Sequence, residues 1–179
     1  LYIYSDADDL RGAMIFPQEW TGGVAYTRYG TIAIGIAPGE LAWGKRAIAH
    51  ELTHLVIHQM TFNPYNDLPT WLDEGLAMYT EGPLLPSFAK ILVEAIEKDE
   101  LISVRSLSSP FSAFTEESAL AYAQSYAIAE FLINSYGQNK MLELLNTFKA
   151  GSGYDQALNQ VYGFDMDGLD NLWRKHILK

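Results

Sequence analysis

Residues 50–74 read HELTHLVIHQMTFNPYNDLPTWLDE, and they set the constraint that the rest of the chain must meet. The stretch opens with an HExxH sequence. In an α-helix His50 and His54 lie one turn apart, about 6 Å along the axis, so both imidazoles can reach one metal ion from the same face. Glu51 lies about 100° around the helix, beside the metal but not as a ligand, where its carboxylate can take a proton from an activated water.

A catalytic zinc site needs a third protein ligand and one open position. Glu74 follows His54 after 19 intervening residues, in an apolar segment. The residues between them are rich in Asn, Asp and Pro, which favour turns. The first helix should therefore end near Met60, and the chain should turn back. A second helix over Leu68–Thr80 should then place Glu74 beside the two histidines of the first helix. The sequence thus predicts a zinc ion held by His50, His54 and Glu74.

His58 is the alternative third ligand. In a continuous helix it lies about 12 Å along the axis from His50, which is too far for one ion. A metzincin-type third histidine would need a Gly that turns the chain, and Leu-Val-Ile stands there instead. We therefore expect His58 to pack or to make hydrogen bonds. The remaining alternative is a chance HExxH match, against which the apolar helix around Glu74 argues.

The pair HELTH and WLDEGLAMY, within residues 43–81, resembles the gluzincin metallopeptidases. It is most similar to compact bacterial peptidase MA-like domains, distant relatives of thermolysin and of the membrane-alanyl and glycyl aminopeptidases. Those families place a Glu in an Asn/Asp/Ser-Glu-Gly context about 18 to 20 residues after HExxH. The resemblance implies that His50, His54 and Glu74 bind Zn²⁺ and that Glu51 is the catalytic carboxylate of a zinc peptidase.

The segment YAQSY at residues 122–126 resembles a Tyr-x-Lys-Gly motif of the aminopeptidase relatives, with Gln124 and Ser125 in place of Lys and Gly. The resemblance implies that Tyr122 stabilises the oxyanion of the transition state. Tyr126 lies one turn further along the same helix face. The alternative is that both tyrosines are core residues of an Ala-rich helix.

The aminopeptidases carry a Gly-Ala-Met-Glu-Asn motif before the HExxH helix, and its Glu binds the free amine of the substrate. Residues 23–30 read GVAYTRYG, with Thr27 where that Glu would fall. A substrate ammonium would lack its carboxylate partner, so an endopeptidase is favoured over an aminopeptidase. A catalytically silent domain that binds zinc or peptides is a third alternative, against which the retained Glu51 argues.

Two strands are predicted before the HExxH helix, Gly22–Tyr29 and Thr31–Ile36, with a turn at Tyr29-Gly30. In zincins the strand before this helix forms the edge of the cleft and pairs with an extended peptide. The resemblance therefore implies a substrate-binding strand that contains Thr31, Ile32, Ala33 and Ile34. An ordinary sheet strand is the alternative.

Length and composition predict one domain over residues 1–179, with the sheet and the HExxH helix in 1–60 and a helical lobe in 61–179. The expected fold class is α+β and zincin-like, with a short N-terminal β-sheet packed on the HExxH helix and a mostly helical C-terminal lobe. Helical periodicity predicts Ser87–Asp99, Glu116–Tyr136, Asn139–Lys149, Tyr154–Tyr162 and Met166–Ile177. On the HExxH helix the residues expected to face the core are Ile48, Leu52, Leu55 and Val56.

A net charge of −10 argues against nucleic acid or an anionic membrane as partner. No apolar run approaches the roughly 18 residues of a membrane span, so we expect no membrane insertion and a peptide or protein substrate instead. The absence of Cys leaves the redox compartment open. The chain begins at Leu1 without a signal peptide, which we interpret as a fragment, and the resemblance favours an extracellular or cell-envelope location.

Overall fold

The structure is a computed structural model that describes residues 1–15, 17, 21–111 and 115–178. Within these ranges the strands are β1 (Tyr2–Tyr4), β2 (Gly23–Tyr26) and β3 (Thr31–Gly35). The helices are α1 (Ala7–Gly12), α2 (Leu41–Thr61), α3 (Thr70–Thr80), α4 (Pro86–Glu97), α5 (Thr115–Tyr136), α6 (Gln138–Lys149), α7 (Tyr154–Tyr162) and α8 (Met166–Ile177). The expected α+β class, with a small N-terminal sheet and a helical C-terminal lobe, is confirmed.

The sheet has the order β1-β3-β2, with β1 parallel and β2 antiparallel to β3. The predicted strand Gly22–Tyr29 is shorter than expected, because a 3₁₀ turn over Thr27–Tyr29 and a left-handed Gly30 make the connection to β3. β3 is therefore the central strand of the described sheet. β2 adjoins α2, and within the described residues it pairs on one side only.

The expectation that the strand before the HExxH helix is an exposed cleft edge is wrong. β1 and β2 flank β3, and Ala33 pairs with Tyr2 on one side and with Val24 on the other. The backbone groups that an added peptide would need are thus already used in the sheet. Ala33 and Ile34 are paired on both sides, whereas Thr31 and Ile32 pair with β2. All four residues belong to the central strand of the described sheet.

The inward face of α2 also differs from the expectation. Leu52 and Val56 are 50% and 46% exposed, whereas Ile57 is 5% and Glu51 only 8% exposed. The reason is that α2 packs against α3 and α6 and also against the sheet. The face that meets these elements carries Glu51 and the histidines, so a face rich in polar groups is buried and part of the apolar face is left at the surface.

The helix α3 is fixed by its packing on α5. Trp71 and Leu72 of α3 are fully buried in the helical core, together with Trp173 of α8. Gly75 lies so close to α5 that a Cβ atom there would be 2.3 Å from the carbonyl oxygen of Ser125. This close approach explains why a Gly stands in the middle of α3, where it costs roughly 1 kcal/mol relative to Ala, and it sets the position of the neighbouring Glu74.

Gln124 has a structural role in α5. Its side-chain amide donates to the Ile102 carbonyl at 2.9 Å and its Oε1 accepts from the Ile102 amide at 2.8 Å. This pair of bonds holds the loop in which Val104 and Leu107 are buried in the helical core.

Across the described ranges, no helix combines the length and apolarity that crossing a membrane requires.

We expect Gly75→Ala to destabilise the protein by about 1–3 kcal/mol, because the new methyl group would overlap the backbone of α5. The control is Gly12→Ala, since a Cβ at that position meets no other part of the described chain within 4 Å. Urea denaturation of both variants measures the free energy of unfolding. Equal stability of Gly75→Ala and the unmodified protein would contradict the proposed helix contact.

Candidate metal centre

Three potential ligands converge between α2 and α3. Nε2 of His50 lies 3.4 Å and Nε2 of His54 lies 3.6 Å from Oε2 of Glu74. The two imidazole rings, one helical turn apart, have centroids separated by 4.8 Å. The structure thus brings together the three residues that the HExxH spacing and the turn-rich return segment predict, and their arrangement can hold one metal ion.

The chemistry of this cluster fits a cation. Oε2 of Glu74 is buried and has no hydrogen-bond partner among the described residues. A buried carboxylate oxygen in that state is costly, and an ion bound between it and the two imidazoles would remove the cost. Two His nitrogens and one Glu oxygen form a ligand set of catalytic zinc sites.

Two further carboxylates orient the imidazole rings. Nδ1 of His50 lies 2.7 Å from Oε1 of Glu81, and Nδ1 of His54 lies 2.9 Å from Oδ1 of Asp73. An ionised carboxylate only accepts hydrogen bonds, so each Nδ1 carries the proton. This assignment leaves both Nε2 atoms free to face Glu74, as in metal sites whose outer carboxylates fix the ligand tautomer.

Sequence reasoning missed these orienting carboxylates, although a signal for them exists. Asp73 immediately precedes Glu74, and Glu81 lies two helical turns beyond it. An acidic residue at either position can reach back to the helix that carries the histidines. Glu81 also pairs with Arg46, whose Nε lies 3.3 Å from Oε2.

His58 makes a hydrogen bond, as expected. Its Nε2 lies 2.8 Å from Oδ2 of Asp73, so this carboxylate bridges His54 and His58. These three residues also lie close enough together to hold a cation. Their nitrogen and oxygen atoms are already hydrogen-bonded to one another, however, whereas the oxygen of Glu74 is not.

The charges of the cluster are strongly coupled. Burial by itself lowers the pKa of His50 and of His54, but the contacts with neighbouring carboxylates outweigh it and raise these pKa values to about 9 and about 11. Burial alone would raise the pKa of Glu74, yet the two imidazoles keep it below its ordinary value. In the absence of metal both histidines therefore bind protons at neutral pH, and a metal ion must displace them.

Glu51 lies between the metal cluster and β2. Its carboxylate fills the space that a side chain on Gly23 would need, since a Cβ there would lie 2.9 Å from Oε1. Burial raises the pKa of Glu51, while the two histidines and a hydrogen bond from the Ala25 amide act in the opposite direction. The group lines a cleft of about 440 Å³ together with Glu74.

The two tyrosines of α5 have different surroundings. Tyr122 lines the cleft that contains Glu51 and Glu74. Burial, followed by the nearby carboxylates, raises the pKa of Tyr122, which keeps its hydroxyl protonated. Tyr126 does not line this cleft; its hydroxyl donates to Oε1 of Glu130 at 3.0 Å. Of the two tyrosines, Tyr122 is therefore the one whose side chain lies at the cleft.

The family model of the Peptidase MA superfamily matches residues 1–179. The chain therefore belongs to the Peptidase MA superfamily. A search of curated proteins finds no significant match. The family and the cluster of His50, His54 and Glu74 together define a metallopeptidase-like domain with a possible metal site.

Glu74→Ala should abolish stoichiometric zinc binding, because it removes the buried oxygen that both imidazoles face. The matched control is His58→Ala, which breaks the other three-residue group and should keep the zinc. Metal content after dialysis, measured by mass spectrometry, distinguishes the two. Retained zinc in Glu74→Ala together with loss in His58→Ala would move the site to His54, His58 and Asp73.

Proposed function

We propose that this protein is a zinc-dependent endopeptidase. The observation that carries the proposal is the buried oxygen of Glu74, which makes no regular hydrogen bond within the described part of the chain and lies 3.4 Å from Nε2 of His50 and 3.6 Å from Nε2 of His54. Two of these ligands are the histidines of an HExxH helix whose glutamate, Glu51, lines the same cleft. A structural zinc site would use all its coordination positions for protein ligands, whereas three ligands beside an open cleft leave one for a reactant.

The roles of the residues follow from their positions. A zinc ion, when bound, acts as a Lewis acid that polarises a carbonyl group and lowers the pKa of water. The Glu51 carboxylate accepts the proton of the attacking water and then passes it to the leaving nitrogen. The protonated hydroxyl of Tyr122 donates a hydrogen bond to the oxygen that becomes negative in the transition state. Asp73 and Glu81 hold the histidines in one tautomer throughout.

The edge strand β2 supports an extended peptide as substrate. Gly22 and Val24 direct their backbone groups towards β3, so Gly23 and Ala25 direct theirs to the other side. The Ala25 amide is used by Glu51. Three backbone groups of β2 are then in position to pair with a peptide: the amide and carbonyl of Gly23 and the carbonyl of Ala25. The outer edge of β2 thus takes the place of the β3 edge that was expected from the sequence.

The charges around the cleft favour an endopeptidase over an aminopeptidase. Among the described residues that line the cleft, the carboxylates are Glu51, Asp73 and Glu74. In the proposed mechanism Glu51 is the base, Asp73 orients His54 and Glu74 is a metal ligand. No carboxylate in this described set is left to bind a substrate ammonium, and Thr27 is the residue of the lining where the aminopeptidase motif would supply one.

Glu51→Gln should retain zinc and lower the cleavage rate by about 10²–10⁴-fold, because the amide cannot accept the proton. The assay uses peptides blocked at both ends, which an aminopeptidase cannot process, and mass spectrometry of the products. Glu97→Gln, on an exposed position of α4, is the control and should behave as the unmodified protein. Wild-type activity of Glu51→Gln would refute the proposed base, and cleavage restricted to free-amine peptides would make the protein an aminopeptidase.

Tyr122→Phe should lower kcat by about 10²–10³-fold with little change in KM, because the lost hydrogen bond forms mainly in the transition state. Tyr126→Phe is the matched control one turn away and should cost less than about tenfold, since its hydroxyl binds Glu130 rather than the cleft. Both are assayed on one blocked peptide. A larger loss in Tyr126→Phe, or losses below tenfold in both, would exclude Tyr122 as the oxyanion donor.

A further inference from the structure

A second cavity, of about 210 Å³, adjoins the metal centre and shares His50, Glu51 and Tyr122 with the cleft. Most of the remaining side chains in its lining are apolar, with Arg46 and Glu81 as the charged ones. The apolar residues are Trp43, Ala47, Met78, Leu85 and Phe88, and we call the cavity the Trp43 pocket.

The helix α2 builds one side of the Trp43 pocket. Trp43, Ala47 and His50 are spaced i, i+4 and i+7, so they lie in a row along one face of the helix. The small side chain of Ala47 leaves the space between the indole ring and the metal ligand. A side chain in this space would therefore belong to a residue very near the bond that is cleaved.

Trp43 is 40% exposed, so a large apolar surface is open beside the metal centre. Its indole ring lies against the backbone at Gly22, where a Cβ atom would be 2.7 Å from the ring. This contact limits the room for the ring on one side. The exposed part of the indole ring is thus an apolar surface that a substrate side chain can cover.

Apart from the residues shared with the metal centre, the charged groups that line the Trp43 pocket are Arg46 and Glu81, and both already have partners. Glu81 accepts from His50 at 2.7 Å and pairs with Arg46 at 3.3 Å. Arg46 also donates from Nη2 to the carbonyl oxygen of Pro83 at 3.1 Å. A charged substrate side chain beside Trp43 would therefore be desolvated next to Arg46 and Glu81, whose charges are already paired, which is costly.

We propose that the Trp43 pocket binds a single large apolar side chain of the substrate, that of a residue flanking the scissile bond. The protein would then select aromatic or branched aliphatic residues at that position. The volume supports one side chain, since pockets for whole small-molecule ligands hold about 300–1,000 Å³. This inference rests on the proposed function, because it takes the ligand to be a peptide that is cleaved at the metal centre.

The first test is cleavage of blocked peptides in which the residues on both sides of the scissile bond are varied among Phe, Leu, Ala, Asp and Lys. At one of the two positions Phe or Leu should exceed Ala in kcat/KM by about tenfold or more, and Asp and Lys should be poorer still. Ala47→Leu should fill the pocket and reduce the preference for Phe over Ala by about tenfold. The control Ala42→Leu, at an exposed position of the same helix that does not line the pocket, should leave the preference unchanged.

A second variant removes the wall instead of filling the space. Trp43→Ala should lower kcat/KM for the Phe peptide more than for the Ala peptide, whereas Leu41→Ala, which is exposed outside the pocket, should affect neither. Thermal unfolding verifies that each variant is folded. If Ala47→Leu fails to fold, the Trp43→Ala result alone decides.

Binding gives a readout that does not depend on catalysis. Calorimetric titration of zinc-loaded Glu51→Gln with the same peptides should rank Phe and Leu above Ala, Asp and Lys, and adding Ala47→Leu should remove that ranking. Apolar-selective binding without any cleavage by the unmodified protein would refute the proposed function, and with it the placement beside a scissile bond, while the apolar selectivity of the pocket would stand. Cleavage without a side-chain preference, or with one that neither Ala47→Leu nor Trp43→Ala alters, would overturn the pocket inference and leave the proposed function standing. Absence of both cleavage and selective binding would overturn both.

Discussion

The architecture around the site depends on one electrostatic arrangement, the buried carboxylate of Glu74 opposite two imidazoles. A carboxylate with an unpartnered oxygen in a low-dielectric interior is unfavourable unless positive charge is close. In the metal-free protein that charge comes from His50 and His54, whose pKa values are raised. A divalent ion would supply it without protons, so the same arrangement that stabilises the protonated cluster also prepares a metal site.

The carboxylates of α3 can contact the histidines of α2 only because α3 is held at a fixed distance from α5. Gly75 brings α3 against the backbone of α5, and the adjacent Trp71 and Leu72 fix it in the helical core. The polar side of the helix then faces α2. Asp73 and Glu74 come from consecutive positions of that side, and Glu81 follows at its end. The apolar packing of one face thus sets the geometry of the polar chemistry on the other.

The same packing explains the chemical character of the cleft. The charged groups near the metal centre are engaged with one another, from Arg46 through Glu81 to His50 and from His58 through Asp73 to His54. Among the described residues, the groups that we propose for binding a substrate are therefore the backbone of β2 and the apolar surface around Trp43. Recognition by main-chain hydrogen bonds and by one apolar pocket is the combination expected for an extended peptide.

Much of the site could be predicted from the sequence, because its determinants are local. The i, i+4 spacing of His50 and His54 is a property of any α-helix, and the turn-forming residues before α3 predict that Glu74 returns to it. Strand order is not local: β3 is central because β1 reaches it from the N-terminus, and no periodicity within residues 31–36 carries that information. The inward face of α2 is equally a matter of packing, since Leu52 and Val56 have the spacing of core residues but are about half exposed among the described elements. The sequence by itself therefore determined which side chains can share a helix face, and only the tertiary structure decided which face, and which strand edge, the rest of the chain leaves open.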